Sequence, residues 1–431
     1  MTTITRPPLT AGGDLQRIVD KLAQGTGRAV AVQDRAGRML AYSVHQPDVD
    51  EIRKQAILTK RGPREGLAWA RTFGIEEAVA PVRVPANEQL GMDARVCAPI
   101  RHDGKALGFV WLLDRDASLT ASELEMIGSA ADSAALSIHH EQLMEELERS
   151  RERELLRDLL SEQPPVRAHA IEELVEDGAF LPSEEVVCLV ARPVRNRLGA
   201  GAHDRAVRSA LDRALGQARA NLPPRQAIQL LRPGHGLLLT TFRSATRPAG
   251  GPAEEAAEHL RTLLAAALPA GWKSVVGIGD ARPTLDEARI SYRHARQAAE
   301  VCGAIESFSP VTGWWQLGAY QTLLELPLET LTRESLHPGL GKLLETRDAT
   351  VWLSTLERYL DLGCDARAAA KMLKVQRGSL YHRLHRIERL AAVDLSRGDD
   401  RLALHMGLKL ARLAGLLDLP VADLAEGGDD A

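Results

Sequence analysis

Between Asp365 and Leu390 the chain carries seven Lys or Arg against two Asp or Glu, an excess of five positive charges. Leu380, Leu384 and Ile387 are spaced i, i+4, i+7, the apolar stripe of an amphipathic helix. At about 100° per residue, Gly378, His382, His385 and Arg389 project opposite that stripe, with Tyr381 and Arg386 on its flanks. That outer face has no acid, and Glu388 falls nearer the edge. Upstream, Ala366, Ala369, Ala370 and Leu373 mark a short first helix. Lys374-Val375 supplies the turn, with Val375 placed to plug the angle between the helices. A basic face on the second helix of such a pair is what docking in a DNA major groove requires. Gln376, Arg377, Gly378, Ser379, Tyr381 and His382 form the leading end, where side chains meet base edges. Arg383, Arg386 and Arg389 lie farther along, toward phosphates. The segment should therefore be a helix-turn-helix with Leu380, Leu384 and Ile387 buried and His382 and Arg389 exposed.

Other chemical groups are poorly arranged for catalysis or metal binding. Cys97, Cys188, Cys302 and Cys364 stand singly, without the paired spacing of a thiolate zinc site or a disulfide framework. The adjacent His139 and His140 point about 100° apart on a helix. His382 and His385 share a face, but suit phosphate or solvent better than a metal. Gly277-Ile-Gly279 is a lone Gly-x-Gly, weak as a nucleotide signal. No metal and no cofactor are expected, and no Ser/His/Asp or Cys/His arrangement is evident.

The elements that must position the basic helix come from a chain of 431 residues, long enough for two to four compact units. The net charge of -4 excludes a uniformly basic coat and leaves room for a local patch. The N-terminus lacks an apolar signal region, and no stretch approaches the roughly 20 apolar residues of a membrane span. A cytoplasmic protein with no membrane partner is expected.

Residues up to about Gly13 read as a loose tail, followed by a helix over Asp14 to Ala23. Hairpin signals follow at Arg28 to Ser43, around Asp34-Arg-Ala-Gly37, and at Arg95 to Leu113, around His102-Asp-Gly-Lys105. A helical segment near Asp50 to Lys60 and a loop-rich stretch lie between them. Thr120-Ala-Ser-Glu123 opens a long helix with its own capping residues. Ile138, Leu143 and Leu147 line one side, Ser150-Arg-Glu-Arg153 interrupts, and Leu155, Leu156, Leu159 and Leu160 resume, as in a short, broken coiled coil. A second unit starts near Leu181. Its strands are Val186 to Val190, Ala227 to Leu231, Leu237 to Thr241 and Ser274 to Ile278, alternating with helices at Ala206 to Ala220, Ala253 to Leu268 and Leu285 to Val301. Alternation of this kind marks an α/β layer structure. From Gly313 the strand signals stop and helices follow.

The run from Cys364 to Leu390 resembles the C-terminal helix-turn-helix of the PucR/CdaR family of regulators, as does its continuation Val393-Asp-Leu-Ser-Arg-Gly-Asp-Asp-Arg-Leu-Ala-Leu-His405. Leu317 to Leu324 and Trp352 to Leu360 look like the helices that precede it there. The chain departs from the family at Gly378-Ser379, where Asn-Thr is usual, so an operator sequence cannot be borrowed. By the same resemblance the middle unit is similar to the family's degenerate GGDEF-like domain. A diguanylate cyclase uses hairpin carboxylates to hold Mg²⁺. Here the matching hairpin is Arg232-Pro-Gly-His-Gly-Leu237, with none, so no enzyme activity is expected. The first unit resembles a GAF sensor through Val96-Cys-Ala-Pro-Ile100 and Gly108-Phe-Val-Trp-Leu112. Trp69, Phe73, Cys97 and Trp111 are its candidate ligand-lining residues.

The expected fold class is multidomain α+β. A GAF-like α/β sensor spans 14–138, a signalling or coiled-coil helix 139–162, a degenerate GGDEF-like α/β sandwich 163–309, and an all-α domain 313–417 with the helix-turn-helix at 365–390. The expected function is a ligand-responsive, DNA-binding transcription regulator acting as a homodimer or higher oligomer, with double-stranded DNA and an unidentified small-molecule effector as partners. The alternatives are a nucleotide-binding signalling protein and a protein-interaction adaptor without specific DNA binding.

Overall fold

The computed structural model describes residues 12–43, 50–176, 185–195, 204–223, 225–242 and 251–417. The expected N-terminal tail before Gly12 and the start of the second unit near Leu181 lie outside them. The chain forms two compact units, Met1–Ser150 and Arg151–Ala431.

In the first unit, α1 (Gly12–Thr26) leads into β1 (Val30–Asp34) and β2 (Met39–Tyr42); α2 (Glu51–Thr59) and α3 (Arg64–Arg71) precede β3 (Val82–Val84), β4 (Arg95–His102) and β5 (Lys105–Leu113). The sheet has the order β2-β1-β5-β4-β3, antiparallel throughout. Val96, Ala98, Val110 and Leu112 face one side, where α1 and the start of α4 (Ala121–Leu159) cover them with Leu15, Val19, Ile127 and Ala134. Cys97, Phe109 and Trp111 face the other side, against Ile52 of α2, Ala70 of α3 and Met92. The period-two alternation of a strand buried on both faces produces the two layers. Thr120 caps α4: its hydroxyl accepts from the Glu123 amide at 3.3 Å while Glu123 Oε2 accepts from the Thr120 amide at 2.8 Å.

The helix α4 runs unbroken through Ser150-Arg-Glu-Arg153. What changes there is the face. Leu136, Leu143, Met144 and Leu147 are exposed, whereas Leu155, Leu156 and Leu159 are buried in the second unit. The polar turn between them is compatible with helix, and Arg219 grips Glu152 through two bonds of 2.7 and 2.8 Å.

In the second unit α5 (Pro164–Glu176) precedes β6 (Glu185–Arg195), α6 (Asp204–Ala220), β7 (Ala227–Arg232), β8 (His235–Phe242), α7 (Pro252–Ala267), β9 (Trp272–Ile278), α8 (Ala288–Ala304) and β10 (Val311–Gly313). The sheet order is β10-β9-β6-β8-β7, with β10 parallel to β9 and the rest antiparallel. Val187, Leu189 and Leu238 pack beneath α6 and α7, while Cys188, Val190 and Leu239 pack beneath α8, α5 and the end of α4. Gly277 and Gly279 owe their type to this packing. A Cβ on Gly277 would overlap the Ala295 carbonyl, and one on Gly279 the Ser291 carbonyl, both on α8. The Gly-x-Gly is thus a close approach of helix to strand.

The remaining helices are α9 (Tyr320–Leu323), α10 (Pro338–Leu344), α11 (Ala349–Asp361), α12 (Ala366–Met372), α13 (Arg377–Ala391) and α14 (Gly398–Leu413). Leu340, Leu353, Leu356, Ala369, Leu380, Leu384, Ile387 and Leu404 form their common core. The bundle is fused to the α/β layer. Ala298 and Val301 of α8, Trp314, Leu317 and Leu413 of α14 share one apolar cluster, and His294 stacks on Trp314 at 4.2 Å.

Candidate nucleic-acid interface

The first helix of the pair, α12, begins at Asp365, whose carboxylate accepts from the amides of Arg367 at 2.8 Å and Ala368 at 3.1 Å. Lys374 turns the chain with φ of 56°, and Val375 packs against the bundle core between the helices. Gln376 is the N-cap of α13. Leu380, Leu384, Ile387 and Ala391 then bury one face of α13 while Arg377, Gly378, Ser379, Tyr381, His382, Arg386 and Arg389 stay exposed. A Cβ on Gly378 would meet nothing within 4 Å, so the leading end is flat there and open to a large partner.

Glu388 is the acid on α13 itself, and both its oxygens are engaged. Its Oε1 accepts from the Leu395 amide at 2.9 Å and its Oε2 meets His385 Nδ1 at 3.0 Å, tying α13 to the closing segment. Arg383 differs from the other arginines. It is half-buried, its Nη1 has no hydrogen-bond partner, and it lines a concavity with Asp348, Val351, Trp352, Gly378, Ser379 and His382. The sequence reading grouped Arg383 with the outward arginines because it counted positions around one helix. It did not foresee the start of α11 beside it.

Behind the pair, α11 and α14 are joined by buried charges. Glu357 accepts from Lys409 at 3.1 Å and from Arg412 Nε at 2.7 Å. Lys409 also reaches Asp361 at 2.8 Å, and Asp361 meets His405 at 2.7 Å. Burial pushes the Glu357 carboxyl up, but the Arg412 hydrogen bond and the Lys409 and Arg412 charges outweigh it, leaving it below the usual carboxylate range.

In the middle layer the β7–β8 hairpin turns at Pro233 and Gly234, and His235 Nε2 lies 2.8 Å from the Tyr292 hydroxyl. Burial, with the nearby charges of Arg232, Arg296 and Arg192, pushes His235 down to about 4. The groups at this hairpin are thus cationic or neutral. Among the described residues no group of three or more His, Cys, Asp or Glu is placed to hold a metal ion.

The first unit holds a partly open cavity between β1, β5 and the helices α2 and α3. Of the four residues singled out in sequence, Trp111 lines it. Cys97 is buried in the same apolar layer without lining the cavity, and Trp69 and Phe73 meet edge to face at 5.0 Å in that layer, with Trp69 Nε1 donating to the Pro85 carbonyl at 3.2 Å. Among the described residues no helix is long and apolar enough to cross a membrane.

A basic helix-turn-helix closing a chain of two layered α/β domains defines a modular, DNA-binding transcription regulator. Residues 352–410 match the PucR C-terminal helix-turn-helix domain, residues 163–301 the GGDEF-like domain and residues 14–138 the GAF domain. The chain thus combines a PucR C-terminal helix-turn-helix with GGDEF-like and GAF domains, and its curated relatives are PucR-family transcriptional activators. It is 24% identical over 412 residues to the proline-responsive transcriptional activator PutR of Bacillus subtilis (strain 168), across 93% of this chain and 97% of that one. It is 20% identical over 413 residues to the DNA-binding transcriptional activator AdeR of the same organism, across 93% of each. Among solved structures it is similar to a regulator of polyketide synthase expression from Bifidobacterium adolescentis, at 19% identity and a TM-score of 0.26, over 62% of this chain and 98% of that one.

Proposed function

We propose that this regulator reads its operator with the leading end of α13 and holds the duplex with the trailing end, as a homodimer under the control of a small effector. The observation that carries the reading is the exposed, acid-free face of α13, with both oxygens of Glu388 engaged. Gln376, Arg377, Ser379, Tyr381 and His382 face the base edges, and flat Gly378 lets the backbone approach. Arg386 and Arg389 meet phosphates. Arg383, half-buried beside Asp348 and Trp352, orients the helix as well as contributing charge.

The test is salt-titrated binding to an operator and a scrambled duplex. Arg377→Ala should cost about 1–3 kcal/mol on the operator and relax base preference. Arg389→Ala should weaken binding to both duplexes and reduce the salt slope by about one. Loss on both duplexes for Arg377→Ala, with loss on the operator alone for Arg389→Ala, would reverse the assignment.

Three further roles belong to the same reading. The middle domain is a relay that does not turn over nucleotide, because Arg232, Pro233, Gly234 and His235 offer no carboxylate to a metal. Product formed from GTP and Mg²⁺ and abolished by altering this hairpin would contradict that. Leu136, Leu143 and Leu147, exposed at i, i+7 and i+11 on α4, are the seam through which two copies associate. The cavity lined by Trp111 in the GAF domain takes the effector.

A further inference from the structure

The GAF cavity measures about 50 Å³. One water needs roughly 10–15 Å³ on that scale, so the space suits an occupant on the order of five non-hydrogen atoms. Most of its wall is apolar, contributed by Ala29, Ala31, Ile52, Ala56, Leu67 and Met92. Two of its polar wall groups are unsatisfied. Arg53 is 7% exposed and its Nε has no hydrogen-bond partner; Trp111 is 7% exposed and its Nε1 has none. Both atoms are donors and neither can accept. A buried donor left unmatched costs free energy that an acceptor in the cavity recovers.

The charge in the wall points the same way. Arg53 and Arg95 are both buried, and the Asp50 carboxylate is buried beside them. Asp50 is already engaged three times. It accepts from Arg95, from the Asp93 amide at 2.9 Å and from the Arg53 amide at 3.0 Å. Arg53 meanwhile spends Nη2 on neutral acceptors, the Val30 carbonyl at 3.0 Å and the Ser43 carbonyl at 3.3 Å. Asp93, at the rim, is taken by Arg115. Among the described residues Asp50 is the counter-charge that acts on Arg53, while Arg95 is opposed by Asp50 and Asp93. Burial outweighs these carboxylates and holds both Arg53 and Arg95 below the ordinary arginine range.

We infer that the effector is a small monocarboxylate with a short, uncharged aliphatic body, its carboxylate accepting from Arg53 Nε and Trp111 Nε1 and its body lying among Ala31, Ile52 and Ala56. This rests on the reading of the cavity as the effector site. A zwitterionic amino acid is disfavoured, because its ammonium group would lie beside the Arg53 and Arg95 guanidiniums, and Asp50 already accepts from three donors. Five or so heavy atoms limit the affinity to the micromolar-to-millimolar range.

The experiment is calorimetric titration of the full chain with three probes of similar size and different charge: propionate, propionamide and propylammonium. Propionate should bind at least tenfold more tightly than propionamide, and propylammonium should not bind. Trp111→Phe keeps an aromatic six-membered ring and removes the donor together with the pyrrole half of the indole, so it should weaken propionate by about tenfold or more. It should leave the weak propionamide binding nearly unchanged, which a collapsed cavity would not. Propionamide or propylammonium binding as well as propionate overturns the carboxylate assignment and leaves the cavity standing as the effector site. No binding of any probe into the millimolar range, with Trp111→Phe as stable as the parent, overturns both.

Discussion

Replacing Glu357 by Leu strands two cations that the fold has taken out of water. The Lys409 and Arg412 side chains are 8% and 10% exposed, and Glu357 is 9% exposed. Lys409 keeps Asp361 at 2.7 Å after the change, so its share of the loss is moderate. Arg412 gives both Nε and Nη2 to Glu357 and loses both. Removing one partner of a buried pair costs about 3–5 kcal/mol, and the stranded Arg412 places this site within that range. Each 1.4 kcal/mol is about tenfold, so local opening of α11–α14 should rise by roughly 10²–10⁴. Whole-chain melting is a poor readout, because several domains do not unfold as one. Native-state hydrogen exchange resolves the segment: amides of α11, α13 and α14 should lose protection while β1 and β5 keep theirs. The effect has a defined pH dependence. Glu357 is depressed in the folded state, so its contribution is complete above the unfolded carboxyl value near about 4.3 and is lost as pH falls through the lower folded value. The difference between parent and variant should therefore narrow on acidification below about pH 4. Unchanged or increased protection in Glu357→Leu would show that an apolar side chain replaces the ion pair without penalty, and the reasoning would fail.

Lys374 holds φ of 56° in the turn between α12 and α13, a conformation costing about 1–2 kcal/mol for a residue with a Cβ. Lys374→Gly relieves that strain against an unfolded-chain entropy cost of about 0.5–1 kcal/mol. A net gain of up to about 1 kcal/mol in protection of α12 and α13 should result, and a loss would mean that the lysine side chain does more than turn the chain. Leu143→Glu with Leu147→Glu should shift the protein toward monomer in light scattering at matched concentration. An unchanged mass would exclude the α4 seam as the contact between copies.

The helix-turn-helix was legible because its signals are local: a periodic stripe, a turn and a capping aspartate within one short segment. Both hairpins of the GAF domain were legible for the same reason. What escaped the sequence is short or non-local. The strands β3 and β10 have three residues each, too few for alternation to register, and β10 is fixed by pairing with β9 across α8. The helix α5 carried a usable signal, since Ala170 and Leu174 are four apart and buried, but it opens on Pro164-Pro165, a pair that marks turns as readily as a first helical turn. Arg53 and Asp50 could not be singled out as cavity residues. Their meaning depends on Arg95, more than forty positions away in the chain.

The apolar cluster joining Ala298 and Val301 on α8 to Leu413 on α14 has a consequence for anyone recombining such regulators. The passage near Ser309 looks like an ideal splice site in the linear sequence, yet cutting there would bare Val301, Ile305, Trp314 and Leu413 on two fragments at once. A chimaera made at that point should aggregate. The transplantable cassette is the reader together with the layer beneath it, and the natural graft point is the polar turn of α4 around Ser150-Arg151, at the boundary between the two compact units.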